Sequence, residues 1–337
     1  MTLRTVLELV RGGQLSLLLG SARAMRRAYR LPFLGACVES GLLRILAAGP
    51  VPLERVRTAL GIDPSMRDGL EAWLGLGVWL GELRKGPDGY ALQSRLARRL
   101  AVPANDPVAA MIQEAGTLHL RLISETPARL RDGRWFTLAD QDGALVARSS
   151  RAIEPFVGEA VDAVVPSRGP IRLFEIGCGT AIHIRRAAMR NPALTAVGVE
   201  LQPEVASVAR RNVAEWNLAA RVAIELGDVR ERAPGADFDV ATLHNNIYYF
   251  PVVERPAVLR HVRGFLIPGG RLLLTTLCLG PGVPTDVLNV WGAMTAGCGR
   301  LPGPDELTAQ IGEAGFTRVE RTSLIPGDSF YAFVGVA

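Results

Sequence analysis

The sequence is sparing with the residues that metal centres and disulfide frameworks need, holding four cysteines and four histidines among its 337 residues. Cys37, Cys178, Cys278 and Cys298 lie far apart with no CxxC pair, which excludes a disulfide scaffold or a zinc site as the organising device and points to a reducing, cytoplasmic setting. No HxH or HExxH spacing occurs, and His119, His183 and His261 stand isolated, so metal-assisted chemistry has no support. Long apolar runs are missing too. The opening MTLRTVLELVRGGQLSLLLG is interrupted by Glu8 and Arg11 and lacks a small-residue cleavage site, so it reads as an amphipathic packing helix rather than a leader or membrane span. There is no repeat, no low-complexity tract and no block of like charge. The net charge of +5 comes from scattered arginines, which allows acidic partners without arguing for nucleic acid.

What is present divides into an N-terminal domain over residues 1–102, a helical connector over 103–168 and an α/β domain over 169–337. Residues Leu34, Cys37, Val38, Gly41, Leu42, Ile45 and Leu46 predict a one-faced helix ended by Gly49 and Pro50. Leu53, Val56 and Leu60 mark a second helix. Asp63 and Pro64 open a third, with Met66, Leu70, Trp73 and Leu74 inward. GELRKGPDGYALQ closes the unit as two short strands around a tight turn. This is a winged-helix order. Between Val51 and Leu83, however, three basic residues face five acidic ones, the wrong balance for a helix meeting phosphates, so packing or dimerisation accounts for it better than DNA reading. The connector carries His119, Arg121, Trp135, Phe136, Arg148 and Arg151 on two long helical stretches around GRWFTLADQDG, and these are predicted to roof the next domain.

From Ile171 onward apolar strands alternate with helices: IRLFEIG, TAVGVE, VAIELGD, DFDVATLH and RLLLTTL are strands, and TRVERTSLI and SFYAFVGVA form a closing antiparallel hairpin. That rhythm predicts a parallel sheet covered on both faces, with ligands at the carboxyl ends of its strands. The first strand ends in EIGCGTA, where Gly177 and Gly179 let the backbone approach a ligand and aim helix amides at it. The third glycine of a dinucleotide fingerprint is absent, Ile182 standing in its place, which disfavours a pyrophosphate cofactor. Glu175, Glu200 and Asp228 end three successive strands; a carboxylate at the second can accept both ribose hydroxyls of a nucleoside, and one at the third can accept from an adenine amine.

With these residues in place the sequence resembles the class I S-adenosylmethionine-dependent methyltransferases: LFEIGCGTA looks like the family's first motif, VGVE its second and LGDVR its adenine motif. The front, with FLGACVESGLLRIL and YALQSRLARRL, is similar to the dimerisation module of winged-helix small-molecule O-methyltransferases. The resemblance implies a seven-stranded sheet of order 3-2-1-4-5-7-6 with strand seven antiparallel, S-adenosylmethionine as cofactor, and a homodimer through the N-terminal domain. It also implies roles. Gly177 and Gly179 would cradle the methionine part, Glu175 would orient its amino group, Glu200 would hold the ribose, Asp228 and Val229 would flank the adenine, and Arg151, with Arg148 and Ser149, would reach the carboxylate.

The fourth strand ends in LHNNIYYFP. His is the side chain best poised to take a hydroxyl proton near neutral pH, and LHNN resembles the LHDW segment that carries the O-methyltransferases' histidine, so His244 is the candidate base. Asn245, Tyr248 and Tyr249 are candidate substrate contacts, the tyrosine faces suiting a cationic centre. Trp291 and Met294, in the apolar, glycine-rich segment CLGPGVPTDVLNVWGAMTAGCGRLPGP, imply a lid over a largely apolar acceptor. The reading is methyl transfer to a hydroxyl or carboxylate of a small metabolite. Two alternatives stand: transfer to an activated carbon, because LHNN departs from LHDW, and a non-catalytic, cofactor-sensing winged-helix regulator.

Overall fold

The computed structural model describes residues 10–282 and 285–337. The first nine residues of the expected N-terminal helix, and Val283 and Pro284 of the glycine-rich segment, lie outside the described residues. Two compact units emerge: Met1–Arg121 with Arg148–Ala152, and Leu122–Ala147 with Ile153–Ala337. Residues 103–168 therefore contribute to both. Among the described residues no helix is long and apolar enough to cross a membrane.

In the first unit the helices are α1 (Gln14–Glu39), α2 (Leu42–Ile45), α3 (Leu53–Ala59), α4 (Arg67–Leu80), α5 (Arg95–Leu100) and α6 (Asp106–Glu114), with an antiparallel wing of Leu83–Gly86 and Gly89–Leu92 between α4 and α5. The single helix expected from Leu34 to Leu46 is two. Gly41 takes φ 78, a left-handed conformation that stops α1 and lets α2 start in a new direction. Asp63 caps as predicted by accepting from the Ser65 amide, and Pro64 opens a short 3-10 turn before α4. Leu70 and Leu74 point inward, but Met66 is 59% exposed because it sits in that turn rather than on the inner stripe of α4. One buried carboxylate ties the wing to its neighbours: Glu82 accepts from Arg30 of α1 and from Ser94, the N-cap of α5.

The second unit contains the large sheet. Its strands are β1 (Ile171–Ile176), β2 (Leu194–Glu200), β3 (Val222–Leu226), β4 (Phe238–His244), β5 (Leu266–Leu277), β6 (Thr317–Ser323) and β7 (Phe330–Val336). Counted this way the order is 3-2-1-4-5-7-6; β1 to β5 pair in parallel, and β7 inserts antiparallel between β5 and β6. The central strands are apolar on both faces because helices cover both. Leu173, Phe174 and Ile176 of β1 are all buried. Helices α7 (Leu120–Asp132) and α8 (Gly143–Ser149) precede the sheet in the chain, and on one side of it α9 (Glu154–Val164), α10 (Ile182–Arg190) and α11 (Pro203–Glu215) contribute Val157, Val161, Ile184, Ala187 and Ala209 to the core. Two more helices follow: α12 (Arg255–Arg263) precedes β5 and α14 (Pro304–Glu313) precedes β6, while α13 (Thr285–Met294) lies in the glycine-rich segment.

Opposite that core the Phe174 ring stacks on Phe238 at 4.9 Å and meets Phe265 at 4.7 Å, and the Arg232 guanidinium lies 5.1 Å above Phe174. This cluster pins β1 to β4 and to the start of β5, and so fixes where their carboxyl ends stand. Removing a fully buried phenyl ring costs about 3–5 kcal/mol in lost transfer energy and cavity. Phe174→Ala is therefore expected to lower unfolding free energy by about that amount. Denaturant titration checks this; a loss below about 1 kcal/mol would show that the cluster does not hold the strands.

Candidate active site

The carboxyl ends of β1, β2 and β4 meet at the turn between β1 and α10. The turn is built from left-handed residues, Gly177 at φ 62, Gly179 at φ 54 and Ala181 at φ 64, which bend the chain sharply from strand to helix. The two glycines are needed for different reasons. A Cβ on Gly177 would stand 2.6 Å from Asn246 Nδ2, whereas one on Gly179 would meet nothing within 4 Å. The first is small because β4 presses on it; the second leaves open space beside the loop. No side chain caps α10, so its first amides stay available to an anionic or polar group.

Glu200, at the end of β2 and only 8% exposed, folds back over this loop: Oε2 accepts the Gly179 amide at 2.9 Å and Oε1 the Gln202 amide at 3.0 Å. Each carboxylate oxygen keeps a lone pair for a hydroxyl. Glu175 is more deeply set. It is 1% exposed, its Oε2 has no hydrogen-bond partner, and burial, reinforced by the charge of Glu200, pushes its carboxyl well above the usual range. Asp228 caps the turn after β3 by accepting from the Arg230 amide, and its carboxylate is clasped by the Arg230 guanidinium at 2.6 Å, which holds it below the usual range. Val229 is buried, and its carbonyl accepts from His261 Nε2 at 3.0 Å.

At the lip of β4, His244 hydrogen-bonds through Nδ1 to Thr275 Oγ1 of β5 at 2.8 Å. The residue keeps some exposure, but Nε2 is sealed and has no partner. His183, expected to be isolated, is not: it is the second residue of α10, and its ring meets that of His244 edge to face at 4.5 Å. Burial first, and the neighbouring imidazole second, hold His244 well below its ordinary value; burial alone takes His183 down to about 4. Both rings are neutral at neutral pH. In the tautomer that donates Nδ1–H to Thr275, His244 presents a bare Nε2 lone pair.

Asn245 and Asn246 are positioned by the backbone. Asn245 adopts φ 52, tolerable for asparagine, and its side chain accepts the Leu277 amide, so it tethers β4 to β5. Asn246 donates to the Ile176 carbonyl, joining β4 to the glycine loop. Tyr248, Tyr249 and Trp291 form one ring cluster, with Tyr249 and Trp291 5.0 Å apart and Tyr248 edge-on to Trp291 at 6.0 Å. Met294 is half-buried, its carbonyl accepting the Phe136 amide. Arg148, Ser149 and Arg151 belong to the first unit, where Arg148 pairs with Asp106 and Ser149 donates to Glu114.

Asn246, Thr275 and His183 escaped sequence reasoning. Thr275 and Asn246 act through neighbours distant in the chain, and no spacing announces them. For His183 a signal existed, a histidine among isoleucines in the first turn after the glycine loop.

The raised carboxyl of Glu175 has a thermodynamic consequence. A group that binds its proton more tightly folded than unfolded contributes stability below the unfolded value, 4.5, and loses it as pH rises towards the folded one. Glu175→Gln, which cannot ionise, is expected to raise the ligand-free protein's melting temperature at pH 7 and to flatten the decline above pH 4.5. A melting curve unchanged at pH 7 would contradict a strained, buried carboxyl.

Comparison with known proteins agrees with this geometry. Residues 173–270 match the family model described as a methyltransferase domain. The chain is 28% identical over 305 residues to demethylspheroidene O-methyltransferase of Rhodobacter capsulatus, covering 85% of this chain and 74% of that protein. It is 26% identical over 318 residues to the tetracenomycin polyketide synthesis 8-O-methyl transferase TcmO of Streptomyces glaucescens, covering 87% and 90%. The fold is that of the mitomycin 7-O-methyltransferase MmcR, with a TM-score of 0.79 at 20% identity over 97% of this chain and all of that one. Residues 173–270 are thus a methyltransferase domain, and the sheet order, the glycine loop and these likenesses make the chain similar to the S-adenosylmethionine-dependent O-methyltransferases.

Proposed function

We propose that the chain methylates a hydroxyl of a small, largely apolar metabolite, with His244 as the base that takes the hydroxyl proton. The observation that carries this reading is the sealed, unpartnered Nε2 of His244 at the lip of the strand that Asn246 ties to the glycine loop. The O-methyltransferase names of the similar proteins support an oxygen acceptor, and the rings of Tyr248, Tyr249 and Trp291 support an apolar one.

The residues fit the cofactor. Glu175 Oε2, a buried carboxylate oxygen with no partner, is what a cationic ammonium would satisfy; Glu200 retains lone pairs for a ribose diol; and the open side of Gly179 admits the methionine part. Asp228 and Val229 would flank the adenine, with Arg230 sharing the aspartate. Bound there, S-adenosylmethionine supplies an electrophilic methyl group. The protein's own task is then to align the acceptor, exclude water and remove one proton. Alignment accounts for much of the acceleration in such a displacement. Thr275 occupies Nδ1 of the His244 ring, which leaves Nε2 as the nitrogen without a partner for that proton.

The first unit supports a homodimer: Leu17, Leu18, Leu19, Met25 and Tyr29 of α1 are exposed apolar residues, and a second copy of the chain is the occupant we propose for them. Buried free thiols at Cys37, Cys178 and Cys278 support a reducing, cytoplasmic setting.

His244→Asn tests the base. General-base catalysis contributes about 10²–10⁴-fold, so turnover at saturating cofactor is expected to fall by about that factor while cofactor affinity by calorimetry stays unchanged. Unchanged turnover on a hydroxyl acceptor would remove His244 from the mechanism.

A further inference from the structure

His183 has no part in the reaction as described so far. It occupies a position on α10 flanked by Ile182 and Ile184, where an aliphatic residue would pack at no polar cost. Instead a half-buried imidazole stands there with its Nδ1 sealed and unpartnered, in ring contact with the imidazole whose Nε2 is likewise unpartnered. Burial without partners is unfavourable for both nitrogens, and natural structures keep few such groups outside sites that receive something. With the ring centroids 4.5 Å apart, a single oxygen taken up beside the pair is the simplest partner for both.

We propose that His183 and His244 hold the acceptor oxygen jointly, His244 taking its proton and His183 donating Nδ1–H to one of its lone pairs. The inference rests on the reading of His244 as base and adds a residue and a selectivity to it. A hydroxyl oxygen carries one proton and two lone pairs. With the proton directed to His244 Nε2 and one lone pair held by His183, a single lone pair remains to attack the methyl carbon. It forms the C–O bond, the electron pair of the C–S bond leaves with sulfur, and the hydroxyl proton ends on His244 as imidazolium. Charge balances, the sulfonium's positive charge being replaced by that of the imidazolium.

The arrangement selects by chemistry. A neutral amine has one lone pair, so His183 and the methyl carbon would compete for it. A carboxylate has no proton for Nε2 and would set an anion against a bare nitrogen lone pair. Both rings are neutral, with no guanidinium or carboxylate acting on either, so neither offers an anion any charge compensation. The pair therefore favours a neutral hydroxyl over an amine or a carboxylate.

The test uses the full-length protein with S-adenosylhomocysteine, 15N-labelled at histidine, and the matched probes 1-naphthol, 1-naphthylamine and 1-naphthoate. Naphthol is expected to shift the imidazole resonances of both His183 and His244, and the amine and carboxylate to leave His183 unmoved. A hydrogen-bonding site discriminates strongly against a ligand lacking the matching group, so His183→Leu is expected to lower the hydroxyl-to-amine ratio of kcat/KM by about tenfold or more, with cofactor affinity unchanged. His183→Gln, which restores an N–H donor, is expected to recover part of that ratio. If naphthol moves His244 but not His183, or if His183→Leu folds, binds cofactor and keeps the wild-type ratio, the joint hold is overturned while the base reading survives. If neither imidazole responds to naphthol and His244→Asn is fully active, both readings fall.

Discussion

The structure turns on one bond between strand ends: the side-chain amide of Asn246, just past β4, donating to the carbonyl of Ile176, the last residue of β1. That bond brings the lip of β4 against the glycine loop so closely that Gly177 can carry no side chain. Everything chemical follows from this closeness. On one side of the junction lie two carboxyl groups, one buried without a partner and one bound to loop amides. On the other lie two neutral imidazoles. A cationic donor and a neutral, proton-bearing acceptor are the ligands we propose for these two environments.

Much of this was legible in the sequence because a doubly wound sheet converts chain order into place. Once IRLFEIG, TAVGVE, VAIELGD and DFDVATLH are strands, Glu175, Glu200, Asp228 and His244 must lie at one edge, and the sheet order 3-2-1-4-5-7-6 sets β1 between β2 and β4. What the strand pattern does not carry is what each side chain touches. The carboxylates of Glu200 and Asp228 look alike as sequence, yet one binds backbone amides and the other a guanidinium two residues on. Asn245, a candidate substrate contact by its place after the strand, also tethers β4 to β5 from a left-handed turn. His183 looked isolated because its neighbour is 61 residues away along the chain; only the crossing from β1 through α10 brings the rings together. In the first unit, Gly41 divided a helix whose apolar spacing runs on unbroken, since periodicity records which face is buried and not where the backbone changes hand.

The glycine-rich segment after β5 owes its shape to a residue that no motif marks. Arg255, the first residue of α12, is fully buried; its guanidinium donates to the carbonyls of Phe250 and Arg300 and so joins the end of LHNNIYYFP to the far end of that segment. Burial lowers it to about 10, still cationic at neutral pH. The Gly299 amide donates to the Tyr248 carbonyl at 2.9 Å, a second link between the same two stretches. The ring cluster of Tyr248, Tyr249 and Trp291 is thus held by backbone contacts on both sides.

The central claim is that burial, rather than a partnering charge, keeps the His244 imidazole neutral with its Nε2 available. The direct measurement is an NMR titration of the His244 ring in the protein bound to S-adenosylhomocysteine, reading protonation and tautomer from the 15N shifts. The account predicts a neutral ring at pH 6 with the proton on Nδ1 and a midpoint well below 6.5. A midpoint at or above 6.5, or a proton resident on Nε2, would contradict it.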